Sequence, residues 1–180
     1  MKEDPYPSLV LDIVRPGDVR DDPTLMRLAI QLTLESIEET GGGPFGAILA
    51  TEEGKVISIG YNLVIPTGDS TAHAEIVAIR RAEKVLGTFH LRGEGIPPLK
   101  LLTTCAPCLM CVGAIHWAGV PVVLAAARSG DAEAIGFVEG PKDFDAAAFL
   151  RGRGIEYHAD FLREEALEIF RRYRGRIYNG

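Results

Sequence analysis

Two short motifs constrain the fold of this 180-residue chain more than any other feature of its sequence. The first is His73-Ala74-Glu75, and the second is the run that starts at Pro107 and holds Cys108 and Cys111. One imidazole and two thiolates fill three positions of a tetrahedral zinc and leave the fourth open to water, as in catalytic zinc sites. The fold must therefore bring two segments that are distant in sequence to one point.

Each motif is predicted to lie at the start of a helix. The sequence predicts helices over about 72–86 and 108–118, the second of them after a short buried strand over 99–103. Residues three apart face the same side of a helix, so Cys108 and Cys111 can point their sulfur atoms at one ion. The free backbone N–H groups and the dipole of a first helical turn favour thiolates there.

The rest of the chain alternates between helical and extended patterns, which favours an α/β fold. We expect a three-layer α/β/α sandwich around a mixed five-stranded sheet. Residues 1–22 are interpreted as an irregular N-terminal extension, and residues 23–180 as one domain. The further predicted elements are a helix that opens at Pro23, a hairpin of strands 45–50 and 56–65, a central strand over 120–126, an edge strand over 155–158 and a helix over 161–174.

Composition excludes several classes of function. The formal net charge of -6 gives no general attraction to phosphate backbones, so nucleic acid is a poor candidate partner. No apolar run is long enough to span a membrane. Cys105, Cys108 and Cys111 are odd in number and clustered, which is typical of metal chemistry in the cytoplasm and not of a disulfide framework.

Glu75 and Cys105 are the other residues with a potential role at the metal. Glu75 is too close to His73 in sequence to be a comfortable second ligand, and its better role is to carry protons beside the open position. Cys105 could complete the coordination if the zinc were structural, but a catalytic site needs that position open.

The pairing of H-x-E with P-C-x-x-C is the signature of zinc deaminases that act on nucleobases. At these residues the chain resembles the cytidine deaminase superfamily, and within it the bacterial guanine deaminase branch. Segments 127–140 and 177–179 resemble guanine deaminases that accept ammeline, an amino-triazine. The resemblance covers most of residues 23–140 and is carried by Gly43–Ala47, Asn62, Ala72–Glu75, Cys108–Ala114 and Trp117.

The resemblance implies a cytidine deaminase-like fold and a homodimeric, cytoplasmic enzyme with one zinc ion per chain. Such an enzyme would hydrolyse guanine to xanthine and ammonia, and ammeline or a related amino-heterocycle would be a second substrate. In this mechanism zinc-bound hydroxide attacks the carbon that bears the amine, and Glu75 shuttles the protons.

The resemblance also implies roles for residues outside the metal site. The amide of Asn62 would bind the purine edge as both donor and acceptor, and Phe45 would stack on the ring. Glu139 would be a second catalytic carboxylate, and Trp117 would form a wall of the pocket. By its position alone, Phe45 is more typical of core packing and Glu139 equally typical of a solvated loop. The remaining implied substrate contacts are Ala74 and Tyr178, the latter on a tail that closes over the pocket.

Three alternatives and one departure from the family pattern stay open. The alternatives are a nucleoside deaminase for guanosine or cytidine, a tRNA adenosine deaminase, and a zinc scaffold without activity in which Cys105 closes the coordination. The departure is Ala106, which stands where the family usually has glutamate before Pro107. We expect it to change the surroundings of the metal without abolishing activity.

Overall fold

The computed structural model describes residues 14–138 and 140–178. None of the helices in these ranges is both long and apolar enough to cross a membrane. The helices are α1 (Asp22–Thr40), α2 (Val64–Thr67), α3 (Ala74–Leu86), α4 (Leu109–Ala118), α5 (Ser129–Glu133), α6 (Ala146–Gly152) and α7 (Arg163–Arg172). The strands are β1 (Gly46–Thr51), β2 (Val56–Tyr61), β3 (Leu99–Cys105), β4 (Val122–Ala127) and β5 (Glu156–His158).

The five strands form one mixed sheet in the order β2-β1-β3-β4-β5. β1 pairs antiparallel with both β2 and β3, whereas β4 pairs parallel with both β3 and β5. The predicted hairpin, the mixed five-stranded sheet and the edge position of the last strand are therefore confirmed.

Helices cover both faces of the sheet. Gly46 faces Thr33 of α1, whereas Gly60, which pairs with the next residue along β1, faces Ala74 and Ala78 of α3. Successive residues of a strand point to opposite faces, so α1 and α3 lie on opposite sides. α7 packs beside α1, and α4 packs between α3 and α6. This arrangement confirms the three-layer α/β/α sandwich.

The second strand of the hairpin is shorter than predicted. It ends at Tyr61, and the residues predicted to extend it to 65 instead enter the short helix α2. The side-chain oxygen of Asn62 accepts a hydrogen bond from the backbone N–H of Val64, at 3.2 Å. A local bond of this kind competes with the strand ladder, which explains why the strand stops there. The prediction of strand over residues 62–65 is wrong.

The described part of the N-terminal extension packs against the domain. Val14 is buried in the core, and the backbone of Gly17 and Asp18 exchanges hydrogen bonds with Val56 at 2.7 and 2.8 Å. α1 then begins at Asp22, and the side chain of Asp21 caps it by accepting from the N–H of Thr24. Residues 14–20 thus run alongside the hairpin as an irregular third segment.

Candidate metal centre and substrate pocket

Three predicted metal ligands meet where α3 and α4 begin. His73 is the residue that caps α3, Cys108 caps α4, and Cys111 lies in the first turn of α4. The potential ligand atoms of these residues all lie within 4.8 Å of one another. The two helix starts meet because α3 and α4 pack side by side on the same face of the sheet.

The distances fit a tetrahedral zinc ion. Cys108 Sγ lies 3.6 Å from His73 Nδ1. Zinc bonds of about 2.1 Å to nitrogen and 2.3 Å to sulfur, at the tetrahedral angle, separate the two ligand atoms by about 3.6 Å. Two sulfurs and one nitrogen are also the donor set that zinc prefers. The three residues can therefore hold zinc without rearrangement of the backbone.

The two thiols differ in acidity. The neighbouring Cys111 thiol, assisted by His73, lowers the pKa of Cys108 to about 4. The proximity of Cys108, together with burial and the neighbouring Glu75, raises the pKa of Cys111 well above its usual value. The centre thus offers one thiolate at neutral pH, and a bound cation would displace the proton of the other.

Glu75 lies beside the three ligands and is buried, with 6% of its surface exposed. Its Oε1 accepts a hydrogen bond from the hydroxyl of Thr103 at 3.2 Å, and its Oε2 accepts one from the Cys111 thiol at 3.4 Å. Burial, followed by the negative charge of Cys108, raises the pKa of Glu75. A carboxyl group in this position can hold and release a proton close to the metal.

Thr103 was not predicted as a site residue. It and Thr104 lie just before Cys105, the last residue of the otherwise mostly apolar strand β3, and both are almost completely buried. Two consecutive threonines at the end of a central strand, just before a metal motif, are the signal that could have drawn attention to them. The contact between Thr103 and Glu75 depends on how α3 packs over the sheet, which the sequence pattern does not show.

Cys105 does not belong to the group of ligands. Its Sγ lies 3.6 Å from the backbone oxygen of Arg128, to which it donates, and the group formed by the described residues contains only His73, Cys108 and Cys111. The alternative in which Cys105 closes a structural zinc site is therefore wrong. Ala106, where the family usually has glutamate, borders a cavity of about 240 Å³ that also contacts Glu133 and Lys142.

Only the amide nitrogen of Asn62, a hydrogen-bond donor, remains available to a ligand. The residue is fully buried, and its Oδ1 accepts hydrogen bonds from the backbone N–H groups of Gly43 and Val64. Its Nδ2 is buried and has no hydrogen-bond partner among the described residues. The expectation that this amide offers both a donor and an acceptor is wrong, because the backbone already occupies the acceptor.

Asn62 lies next to the metal centre and to the C-terminal tail. The N–H of Leu63 donates to the carbonyl of Ala72 at 2.9 Å, which places Asn62 beside His73. A Cβ atom on Gly43 would lie 2.5 Å from the hydroxyl oxygen of Tyr178 and 3.0 Å from the side chain of Asn62. Tyr178, near the end of the chain, therefore lies close to Gly43 and Asn62 of the same chain.

The other predicted pocket residues have different outcomes. Trp117 is 80% exposed near the end of α4, and its role as a wall of the pocket stays a prediction. Phe45 is buried and its ring meets those of Phe137 and Phe170 at 5.1 and 6.1 Å, so core packing accounts for its position. Ala74 is fully buried at the start of α3. The stacking role of Phe45 and the substrate contact of Ala74 stay predictions, and Glu139 lies outside the described residues.

Comparison with known proteins gives the family. Residues 19–127 match the family described as the cytidine and deoxycytidylate deaminase zinc-binding region. The chain is 43% identical to guanine deaminase of Bacillus subtilis (strain 168) over 114 residues, which cover 63% of this chain and 69% of that protein. It is 42% identical over 94 residues to tRNA-specific adenosine deaminase of Buchnera aphidicola subsp. Schizaphis graminum (strain Sg), covering 52% of this chain and 58% of that relative.

A solved structure extends the likeness beyond the metal-binding region. The protein NE0047 in complex with 2,6-diaminopurine superposes with a TM-score of 0.83 at 39% identity, over 91% of this chain and 88% of that one. The fold of this chain agrees with that of the solved structure, and the matched family region contains His73, Cys108 and Cys111. The chain therefore belongs to the cytidine and deoxycytidylate deaminase family and is a zinc-type aminohydrolase.

Proposed function

We propose that this enzyme hydrolyses guanine to xanthine and ammonia and that it uses one zinc ion per chain. The observation that carries the substrate is the buried Nδ2 donor of Asn62, beside the metal centre and without a partner among the described residues. A buried donor without a partner is costly, and a ligand that supplies an acceptor removes this cost. The names of the relatives agree with a purine substrate.

The donor of Asn62 favours guanine over adenine. The edge of guanine carries two adjacent acceptors, N7 and O6, whereas adenine carries an acceptor and an amino donor at the same positions. Because Oδ1 of Asn62 is held by the N–H groups of Gly43 and Val64, the side chain cannot turn over to accept from an amino group. A substrate with a lactam oxygen, such as guanine, supplies the acceptor that the amide nitrogen of Asn62 needs.

His73, Cys108 and Cys111 would hold the zinc ion. Zinc at such a centre supplies a Lewis acid that makes a water molecule acidic near neutral pH. The three side chains leave one tetrahedral position for that water. The two thiolates and the neutral imidazole balance the charge of the cation, which suits a centre in the interior of the protein.

Glu75 would move the protons. Its carboxylate takes a proton from the attacking water and delivers it to a ring nitrogen of the base. The carboxylate then takes the remaining proton of the added hydroxyl group and passes it to the amine, which leaves as ammonia while the carbonyl of xanthine forms. The raised pKa of Glu75 suits a group that must both accept and donate a proton within one cycle.

Glu139 and the tail are further parts of the proposal. Glu139 would hold the amine of the substrate and assist the proton transfers, a role supported by the resemblance of segment 127–140. Tyr178 would cover the bound base, because its hydroxyl lies beside Gly43 and Asn62. Closure of a tail over the base would exclude bulk water from the reaction.

A substrate panel tests this proposal. Ammonia release is measured from guanine, guanosine, ammeline, cytosine, cytidine and adenine, and tRNA binding is measured in a gel shift. We expect guanine to have the highest kcat/KM, ammeline to be a slower second substrate and tRNA not to bind. Turnover of a nucleoside or of tRNA adenosine in preference to guanine would refute the substrate while leaving the reaction class intact.

We also propose a homodimer, on the basis of the resemblance. The exposed side chains of Trp117 and Phe89 are the large apolar groups that an interface between two copies would cover. Sedimentation equilibrium of the wild type and of Trp117→Glu tests this proposal. We expect a dimer for the wild type and dissociation for the variant, and a monomeric wild type would contradict it.

A further inference from the structure

The hydroxyl of Thr103 lies directly against the proton carrier. It is 3.2 Å from Oε1 of Glu75 and 3.0 Å from the backbone oxygen of Cys105, and only 1% of the residue is exposed. We propose that Thr103 is a positioning residue for deamination, which holds the carboxyl group of Glu75 in the orientation from which it moves protons. This inference rests on the proposed function.

The two oxygens of Glu75 have different side-chain partners. Oε1 accepts from the hydroxyl of Thr103, and Oε2 accepts from the thiol of Cys111, which belongs to the group of candidate metal ligands. Thr103 lies outside that group, so its contact with Glu75 does not use a residue that would hold the metal.

The strand residues paired with Thr103 carry no polar side chain that could replace its hydroxyl. Its partners in register are Ala47 on β1 and Ala125 on β4, both of which are buried. Their small apolar side chains make room for the carboxyl group but cannot bond to it. A glutamate side chain has several rotatable bonds, so a buried carboxyl group without this hydroxyl would lose its fixed orientation.

A hydroxyl group suits this position better than a fixed donor would. It has one proton to donate and lone pairs with which to accept, and it can rotate between partners. While the carboxylate of Glu75 is unprotonated, the hydroxyl of Thr103 donates a hydrogen bond to it. While Glu75 carries a proton from the water, Thr103 can donate to the carbonyl of Cys105 and accept from the carboxyl group. Contact is thus kept in both halves of the cycle.

The test compares Thr103→Val, which has the same shape without the hydroxyl, with Thr103→Ser, which keeps the hydroxyl. Ser58→Ala is the matched control, because Ser58 also bonds a buried hydroxyl to α3, through the carbonyl of Ala78 at 2.7 Å, without contacting Glu75. We expect Thr103→Val to lower kcat by about 10- to 100-fold with little change in KM, from the loss of one hydrogen bond to a charged group. Thr103→Ser should recover most of kcat, and Ser58→Ala should lower only the Tm.

Zinc content and infrared spectra complete the test. All variants should keep one zinc ion per chain. The carboxyl band of Glu75, identified by its loss in Glu75→Gln, should shift in Thr103→Val and return in Thr103→Ser. Unchanged kcat and an unshifted band in Thr103→Val, or a loss of zinc in that variant, would overturn the proposal.

The two proposals can fail separately. Activity is measured with whichever amino-heterocycle the wild type deaminates, and the infrared band needs no substrate. Wild-type inactivity on guanine would therefore refute the proposed substrate and leave the role of Thr103 to be decided by the variants.

Discussion

At the scale of single residues, the site depends on which polar side-chain atoms already form hydrogen bonds within the protein. The oxygen of the Asn62 amide is bonded to backbone N–H groups, so its nitrogen is left for a ligand. The oxygens of Glu75 face Thr103 and Cys111, which fixes the carboxyl group beside the metal ligands. The hydrogen bonds that each side chain already makes thus determine which of its atoms can act on a ligand.

Glu75→Gln separates the proton carrier from the metal ligands. The amide keeps the shape of the side chain but cannot accept a proton, so we expect kcat to fall by about 10²- to 10⁴-fold with zinc retained. Ammonia release and metal content by mass spectrometry are the measurements. Glu83→Gln, farther along α3, is the control and should be fully active. Unchanged ammonia release in Glu75→Gln would show that another group carries the protons.

Asn62→Asp removes the donor but keeps the oxygen that the backbone binds. We expect kcat/KM for guanine to fall by about 10- to 100-fold, because an acceptor now faces the acceptors of the base. Circular dichroism should show an unchanged fold, since Oδ1 still accepts from Gly43 and Val64. Equal kcat/KM for wild type and variant would remove Asn62 from substrate recognition.

At the scale of the elements, the candidate metal centre forms because α3 and α4 follow β2 and β3, which flank β1 and end at the same edge of the sheet. α3 lies close to β2 because Gly60 has no side chain where the two meet. Only glycine lets the strand backbone approach the carbonyl of Ala74 and the N–H of Ala78. This close approach positions His73 and Glu75 at the start of the helix.

Gly60→Ala should therefore damage both the fold and the metal centre. The added Cβ would overlap the carbonyl oxygen of Ala74 and lie 2.6 Å from the nitrogen of Ala78, so α3 must move away. We expect a loss of about 1–3 kcal/mol in the free energy of unfolding, together with weaker zinc binding. Denaturant unfolding and a competitive chelator titration measure the two effects.

Gly113→Ala is the matched control for that variant. Gly113 lies within α4, and a Cβ there would meet no atom within 4 Å. We expect this helix substitution to be neutral or to stabilise the protein by up to about 1 kcal/mol. If both alanine variants had the same stability, close packing at Gly60 would not be what holds α3 in place.

At the scale of the whole molecule, the two ends of the described chain return to the same domain. Residues 14–20 lie along the hairpin, and the tail after α7 returns to Phe137, on which the ring of Tyr178 packs at 5.2 Å. The hydroxyl of Tyr173 donates to the carbonyl of Arg176 and fixes the start of this tail.

Deletion of residues 176–180 tests the role of the tail. We expect KM for guanine to rise or turnover to be lost, because the pocket would open to water, while the Tm changes by only a few degrees. Tyr178→Phe is the milder variant, which keeps the ring on Phe137 and removes the hydroxyl beside Asn62. Normal kinetics after deletion would show that the tail does not close the pocket.

The sequence by itself determined which residues are candidate metal ligands, which carboxylate lies beside them, and the order of the main helices and strands. These features are local: a spacing of three places two cysteines on one side of a helix, and apolar runs between turns mark the strands. The end of β2 was not predicted correctly, because the side-chain oxygen of Asn62 accepts from the backbone N–H of Val64 and this local bond outweighs the apolar pattern.

Only the tertiary structure decided which groups face one another across the fold. The hydroxyl of Thr103 contacts Glu75, the amide oxygen of Asn62 accepts from the backbone of Gly43 and Val64, and Trp117 lies exposed near the end of α4. Each of these outcomes depends on how elements far apart in sequence pack and on which polar atoms the backbone occupies first. The spacing of residues along one element carries no information about such contacts.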